Sequence, residues 1–500
     1  MISNSDIKKL LGRDPAFDDI MCSLQSVPRM PRGIVKETRR VMAYVRKFND
    51  EYVREQSLDV DRACQEQDDL LPWDLVEEAN RRGLYSMWIP RLFGGRGYNL
   101  GSLSYALEEL ASVCTGIANV VGVHYLGVTV LFSTWNMRVI NRVLRETVEG
   151  EKTGKPCILS LAITEPSAGT DVEDVELVDR GTVTCFARRV KGGYVLNGRK
   201  VFISMGHVST WHIIIAYTDL KKPSENMMVC AVKTGTKGFS FGRKEHKMGQ
   251  LACPASELLF EDCFVPDELV CYDNLQTRGC RSSKKKINRT LINLILSASR
   301  AGVAAFGAGV ARGAFEEALR FASGTTLDNR LLLNHEWVQC MLAEMYKNAA
   351  LARLGYAESN YANGLYGMVK LLQKKPLYYM TKYTPARLMD KFCAPVMNMN
   401  VTTRLFRKIY FDWIRDEDLQ RATGWASLAK FSATDLGVTN CHMALELMGQ
   451  AGLRHDGRAE KHLRDAKLLQ IYEGTNQLNR LTLFDCLIGR STPGRSVFEE

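Results

Sequence analysis

The chain has no C-x-x-C pair, although it carries 14 cysteines in 500 residues. Zinc sites and disulfide frameworks both need cysteines at close, recurring spacings, so neither is expected and no metal ligand set is assigned. Reduced thiols and a cytoplasmic setting are the simplest reading. No apolar run reaches about eighteen residues without interruption, so no transmembrane span is expected. The N-terminus, MISNSDIKKLLGRD, lacks an apolar core followed by a small-residue cleavage site and does not read as a secretory signal. Basic residues outnumber acidic ones, for a formal net charge of +10. They are spread along the chain apart from one cluster at 278–289, RGCRSSKKKINR. No nucleic-acid-binding module accompanies that cluster, so nucleic acid is not an expected partner.

What is present is ordinary globular material, 46% hydrophobic and 24% charged, in a chain too long for one compact core. Residues 1–33 form a polar lead-in. Residues 34–157 read as helical, with Val41, Tyr44, Val45 and Phe48 on one stripe and further apolar stretches at 75–84 and 103–110. The Gly-rich segment IPRLFGGRG (89–97) fits neither nucleotide fingerprint and reads as a helix connection. Small residues dominate 111–131, which reads as a helix packed on all sides. Within it His124 and Tyr125 are either ligand-facing or a satisfied core pair. From 158 to 275 the texture is that of strands, at 158–164, 194–197, 211–217, 227–232 and 258–260, separated by Gly or Pro turns. Residues 276–490 return to helical periodicity, interrupted by an insertion at about 365–420, and 491–500 form a tail.

Three polar signatures stand out. LAITEPSAGTD (161–171) places Ser, Gly and Thr amides where a polar heterocycle or an anion could approach, with the Thr164 hydroxyl at a strand end. YVLNGRKVFISMG (194–206) reads as a hairpin turning at Asn197-Gly198, after which Phe202 and Ser204 share a face. IYEGTNQ (471–477) lies between two helical runs, and a Glu followed by Gly breaks a helix. Glu473 at such a bend, in an apolar cleft, would have a raised pKa and could act as a general base. A solvated Glu at a helix end is the other reading of that segment taken alone.

In this order and at this separation the signatures resemble those of the acyl-CoA dehydrogenase family. GLYSMWIPRLFGGRG, KMGQ, FEDCFVP, RAGVAAFGAGVARGAFEEA, MGQAG and RDAKLLQ extend the likeness over roughly 35–485. The resemblance implies an α+β flavoprotein: an N-terminal helical domain, a β-barrel-like middle domain and a C-terminal four-helix bundle carrying the inserted helical segment. It implies FAD as cofactor, an acyl-CoA thioester as substrate and electron-transfer flavoprotein as electron acceptor. The activity implied is α,β-dehydrogenation to the 2-enoyl-CoA, with Glu473 taking the α-proton. Ser299 lies where some relatives carry the base instead. Ile163, Thr164, Gly169, Thr170, Phe202, Ser204, Thr475 and Gln477 match flavin-binding positions, and Arg300, Tyr472 and Gly474 match positions at the acyl pocket.

The resemblance also has departures. The family's Arg-x-x-Phe-Gly segment and following Gln, which reach a neighbouring subunit's FAD diphosphate, read here as Thr325, Asp328, Asn329 and Glu336. Glu446 stands where the family often has Gln near the same diphosphate, and Gln450 replaces a turn glycine. These changes remove a bidentate cation and add negative charge. They leave open a homo-oligomer, a hetero-oligomer completed by a related subunit, a FAD-poor or non-catalytic partner subunit, and an enoyl-CoA reductase running the same chemistry in reverse.

Overall fold

A computed structural model describes residues 21–489 apart from 276, 278, 279, 372, 373, 386 and 387, together with residue 497. The first part of the lead-in, most of the tail, and Arg278 and Gly279 of the basic cluster lie outside the described residues. The chain forms a helical N-terminal part, a sheet in the middle and a helical C-terminal part.

In the first part, α1 (Gly33–Phe48), α2 (Arg54–Glu66) and α3 (Trp73–Arg81) lead into α4 (Gly101–Ala111), α5 (Thr115–Ser133) and α6 (Met137–Thr153). Three of the four residues of the stripe predicted on α1, Val41, Val45 and Phe48, lie in the core, whereas Tyr44 is exposed with its hydroxyl donating to the Arg82 carbonyl. The all-round apolar segment is two helices, broken at 112–114. His124 is a satisfied core residue, its Nε2 donating to the Tyr85 carbonyl (3.0 Å) and its Nδ1 accepting from the Leu159 amide (3.2 Å). Tyr125 is also buried, its hydroxyl donating to the Leu84 carbonyl (2.7 Å), but it borders the cavity described below.

The middle sheet comprises β1 (Leu159–Ala162), β2 (Phe186–Val190), β3 (Gly193–Ser204), β4 (Trp211–Tyr217), β5 (Met227–Lys233), β6 (Phe239–Lys244), β7 (Ala255–Pro266) and β8 (Val270–Tyr272), in the order β6-β7-β3-β2-β4-β5-β8 with β1 beside β4. It encloses its own core, including Leu196, Ile214, Met228, Leu258 and Phe260. The predicted hairpin at Asn197-Gly198 is not a turn. β3 runs straight through it, and the register against β7 slips there, so the pair is a bulge. Gly198 (φ +137°) is needed because a Cβ would sit 2.7 Å from Cys185 Cα. The strand reversal is made one strand earlier, at Gly192 (φ +81°).

The C-terminal part is built on three long helices, α7 (Lys284–Gly324), α8 (Glu336–Tyr366) and α11 (Asp416–Met448), with α12 (Ala459–Leu469) and α13 (Asn476–Leu483) after them. Between α8 and α11 the insertion contains α9 (Lys375–Tyr383) and α10 (Asn400–Arg407), with shorter helical turns between and beyond them. By length and composition α5 and α7 could each cross a membrane, but 78% and 83% of their most apolar windows are buried inside the protein. The non-family residues Asp328 (φ +50°) and Asn329 (φ +61°) form the two-residue turn of an exposed hairpin joining Thr326–Leu327 to Arg330–Leu331.

Helices α7 and α11 cross at Gly307, where a Cβ would lie 2.7 Å from the Ala433 carbonyl carbon and 2.8 Å from its oxygen. Alanine is the better helix former by about 1 kcal/mol, so propensity alone would stabilise Gly307→Ala. The backbone clash costs about 1–3 kcal/mol and should dominate. Gly307→Ala is therefore expected to lower the thermal unfolding midpoint; a raised midpoint would show that the crossing is not this tight.

Candidate active site

A cavity of about 380 Å³ opens where the three parts meet. The segment following β1 supplies Ile163, Thr164, Gly169 and Thr170, the end of β3 supplies Phe202 and Ser204, and the bend between α12 and α13 supplies Tyr472 and Glu473. Leu103, Leu107, Val123, Leu126, Val303 and Phe306, from α4, α5 and α7, make much of the remainder apolar.

Each polar contribution has a local cause. Glu165 of the TEP segment is buried and ion-paired with Lys200 of β3 at 2.8 Å. Lys200 also donates to the Ile163 carbonyl (2.8 Å), so this internal pair fixes the Ile163-Thr164 backbone against the sheet. The register of β3 against β7 slips again between Lys200 and Ile203, and Phe202 takes φ +57°. A bulge re-aims a side chain, and here it leaves Phe202 58% exposed at the cavity although it lies in the longest part of the sheet. Tyr472 is held by its hydroxyl, which donates to Gln250 Oε1 (3.2 Å), and Gln250 is held in turn by Asn119 (3.1 Å).

Glu473 (φ +56°) and Gly474 (φ +75°) both adopt left-handed backbone. For a glutamate this is an uncommon, costly conformation that surrounding contacts must enforce. The contacts are explicit. Arg300 Nε donates to the Glu473 carbonyl (3.2 Å), Lys430 Nζ to the Gly474 carbonyl (2.7 Å), and Asn479 Nδ2 to the same carbonyl (2.9 Å). The Gly474 amide donates to Glu173 Oε1 (2.8 Å). A Cβ on Gly474 would meet Glu173 Oε2 at 2.8 Å and Arg300 Nη2 at 3.1 Å, so glycine is required on both grounds.

The Glu473 carboxylate accepts from Ser299 Oγ at 2.6 Å. Burial raises its pKa, opposed by the Ser299 hydrogen bond and by the charges of Arg300 and Lys430. Burial, followed by the neighbouring Glu473 charge, pushes Glu173 up to about 7. Burial, followed by repulsion from Arg300, pushes Lys430 down to about 7.

Of the residues singled out in the sequence, ten line the cavity together: Tyr125, Ile163, Thr164, Gly169, Thr170, Phe202, Ser204, Ser299, Tyr472 and Glu473. Arg300 and Gly474 stand behind Glu473 rather than on the wall; Arg300 is buried and also donates to Ser427 Oγ (2.9 Å). Thr475 caps α13, accepting from the Leu478 amide (3.2 Å), and Gln477 is exposed on that helix. Sequence reasoning missed Glu173, Lys430, Gln250 and Glu165, and it noted Ser299 only as lying where some relatives carry the base. A lysine inside the otherwise uncharged run GWASLAKFSAT (424–434) was a readable sign that Lys430 is buried for a purpose. Among the described residues no three His, Cys, Asp or Glu side chains gather to hold a metal ion.

Comparison with known proteins agrees with this layout. The family models described as the acyl-CoA dehydrogenase N-terminal, middle and C-terminal domains match residues 36–151, 160–263, and 290–389 with 392–487. The chain is 26% identical over 421 residues to the caffeyl-CoA reductase-Etf complex subunit CarC of Acetobacterium woodii, covering 83% of this chain and 90% of that one. It is 28% identical over 403 residues to cyclohex-1-ene-1-carbonyl-CoA dehydrogenase of Geobacter metallireducens, covering 80% and 85%. The solved butyryl-CoA dehydrogenase of Megasphaera elsdenii superposes with a TM-score of 0.67 at 22% identity, over 91% of this chain and 98% of that one. With all three family domains present in order around one cavity, the chain belongs to the acyl-CoA dehydrogenase family.

Proposed function

We propose that this protein is an FAD-dependent acyl-CoA dehydrogenase that converts an acyl-CoA thioester to its 2-enoyl form, with Glu473 as the base. The observation that carries the reading is Glu473 itself. It is a desolvated carboxylate in an enforced left-handed bend, facing a largely apolar cavity and within one hydrogen bond of Ser299. A raised carboxylate pKa brings the base closer to the working pH and strengthens it toward a weakly acidic α-proton.

The residues present fit a flavin. Phe202 is a large aromatic left exposed at the cavity, beside Thr164 and Ser204, as a wall for a flat ring requires. At Gly169 a Cβ would meet nothing within 4 Å, so the backbone is open to a bound group. Ile163, Thr164, Gly169, Thr170, Phe202 and Ser204 would hold the cofactor. FAD when bound would supply the two-electron acceptor for the Cβ hydrogen. The chain's own work is to orient the thioester, exclude water through the apolar wall of Leu103, Leu107 and Val303, and keep the Glu473 carboxylate ionised through Ser299. We assign electron-transfer flavoprotein as electron acceptor, in keeping with the Etf in the name of the A. woodii relative. That relative's name also supports a second direction, enoyl-CoA reduction, in which Glu473 returns its proton to the α-carbon.

Glu473→Gln keeps the shape but removes the base, so turnover should fall by about a hundredfold or more while FAD and acyl-CoA still bind. Steady-state rates and equilibrium binding check this, and wild-type-like turnover would remove Glu473 from the role. Ser299→Ala removes a hydrogen bond that favours the ionised carboxylate. The Glu473 pKa should then rise further, and the acid limb of the kcat/KM profile should move to higher pH. A limb that stays in place, or moves down, would contradict the assignment. Phe202→Ala should purify with less bound flavin, read from the ratio of visible to ultraviolet absorbance; unchanged content would place the ring elsewhere.

A further inference from the structure

Glu473 shares its end of the cavity with a second carboxyl. Glu173, the last residue of the turn Thr170–Glu173, lines the same cavity. It also lines a second, polar cavity of about 460 Å³, where Asp174, Glu176, Arg289, Thr423 and Asp485 stand around it. One side chain therefore borders both spaces. Its Oε1 accepts from the Gly474 amide, whereas its buried Oε2 lies 3.5 Å from Arg300 Nη2 and makes no hydrogen bond. A buried carboxylate oxygen left without a donor is costly in the ionised form and is relieved by taking up a proton.

The charges facing Glu173 come from every neighbouring element: Glu473 on the bend, Arg300 on α7, Lys430 on α11, and Arg289 and Asp485 across the second cavity. The first raises its proton affinity; Arg300 and Lys430 lower it. Burial and the Glu473 charge prevail, so the Glu173 carboxyl takes up a proton more readily than a free one.

This inference rests on the dehydrogenase reading above. A thioester filling the first cavity cuts Glu473 off from water, and the α-proton it has taken needs another exit before the next turnover. We propose that Glu173 is a proton-relay residue, accepting that proton from Glu473 and releasing it to water in the second cavity. The α-C–H bond breaks as an O–H bond forms on Glu473, its electron pair becomes the second bond between Cα and Cβ, and the Cβ–H pair would leave with its hydrogen as hydride to the two-electron acceptor that FAD would supply. The proton then passes from the Glu473 carboxyl to the Glu173 carboxylate and on to water, restoring both groups. In the reductive direction the same path delivers a proton inward. Glu173 acts through Glu473, so its loss should separate proton release from the chemical step.

The test uses the FAD-loaded wild type, Glu173→Gln and Glu173→Ala, mixed with an acyl-CoA in weak buffer containing a pH-indicator dye. Glutamine keeps an oxygen for the Gly474 amide but cannot carry the proton; alanine leaves room for formate as a substitute acid. Flavin bleaching and dye protonation are followed in the same stopped-flow trace. In the wild type the two should coincide. In Glu173→Gln proton release should lag behind bleaching by about tenfold or more, whatever the rate of bleaching itself. Formate should restore release in Glu173→Ala. Release that keeps pace with bleaching in both variants would overturn the relay, as would equal slowing of both events without formate rescue. A wild type whose flavin is bleached by no acyl-CoA would overturn the dehydrogenase reading itself, whereas bleaching lost only in Glu473→Gln would leave that reading standing.

Discussion

Two cations and two carboxyls are buried around a single peptide unit, Glu473–Gly474, and much of the site follows from the need to satisfy them. A charge removed from water must be paired and hydrogen-bonded, and removing one member of such a set leaves the others uncompensated at a cost of about 3–5 kcal/mol. Arg300 reaches the unit from α7, Lys430 from α11, and Glu173 from the turn beside the sheet. The bend is thereby tied to the bundle and to the middle domain at once. The left-handed conformation of Glu473 is the consequence: its carbonyl and the next amide are each claimed by a group on a different element. The carboxylate is then aimed into the cavity by its backbone, and Ser299 needs only to complete its solvation.

Much of the fold was legible because its strongest elements repeat a period. Val41, Val45 and Phe48 of the α1 stripe, the helical character of the first and last parts, and the strands at 211–217 and 227–232 all stand in the structure. The failures share a physical origin. Asn197-Gly198 carries the chemistry of a two-residue turn, but the same chemistry serves a bulge, and the choice is made by β7 lying alongside. β2 (FARRV) and β6 (FSFGRK) were not read as strands because exposed arginines and lysine break their alternation. The interruption at 112–114 has no Gly or Pro to announce it.

Site residues divided by how local their signal is. Glu473, Thr164 and Phe202 lie inside short motifs, so their identity was visible without the fold, and the structure gathers them at one cavity. Glu173 reads in sequence as one acid of the run TDVEDVE, which solvent would ordinarily cover. Its importance arises only when residue 474 arrives beside it, and no spacing rule spans that separation. Arg300 shows the converse: its position was legible, but its place behind the bend, bonded to main chain and Ser427, depends on which face of α7 turns toward α11.

The insertion enters this scheme from outside the cavity. Arg407 is buried and donates to the Thr134 carbonyl (3.0 Å) and to the Cys271 carbonyl (2.7 Å), so one side chain of α10 joins the end of α5 to the last strand of the sheet. Trp135 (φ +52°) stacks on Tyr410 at 3.8 Å and on Phe406 at 5.6 Å, and Thr403 accepts from the Met137 amide. At the other end Lys382 pairs with Glu37 of α1. The segment is therefore packed along the N-terminal helices and the sheet rather than looped into solvent. The same two parts converge on the cavity with α7. Their relative placement is fixed at two separated points: at the cavity by the charges around Glu473–Gly474, and outside it by Arg407 and the Trp135 stack. A bend strained in its backbone needs that rigidity, because a shift between the sheet and the bundle would withdraw Glu173 and let Glu473 relax out of line.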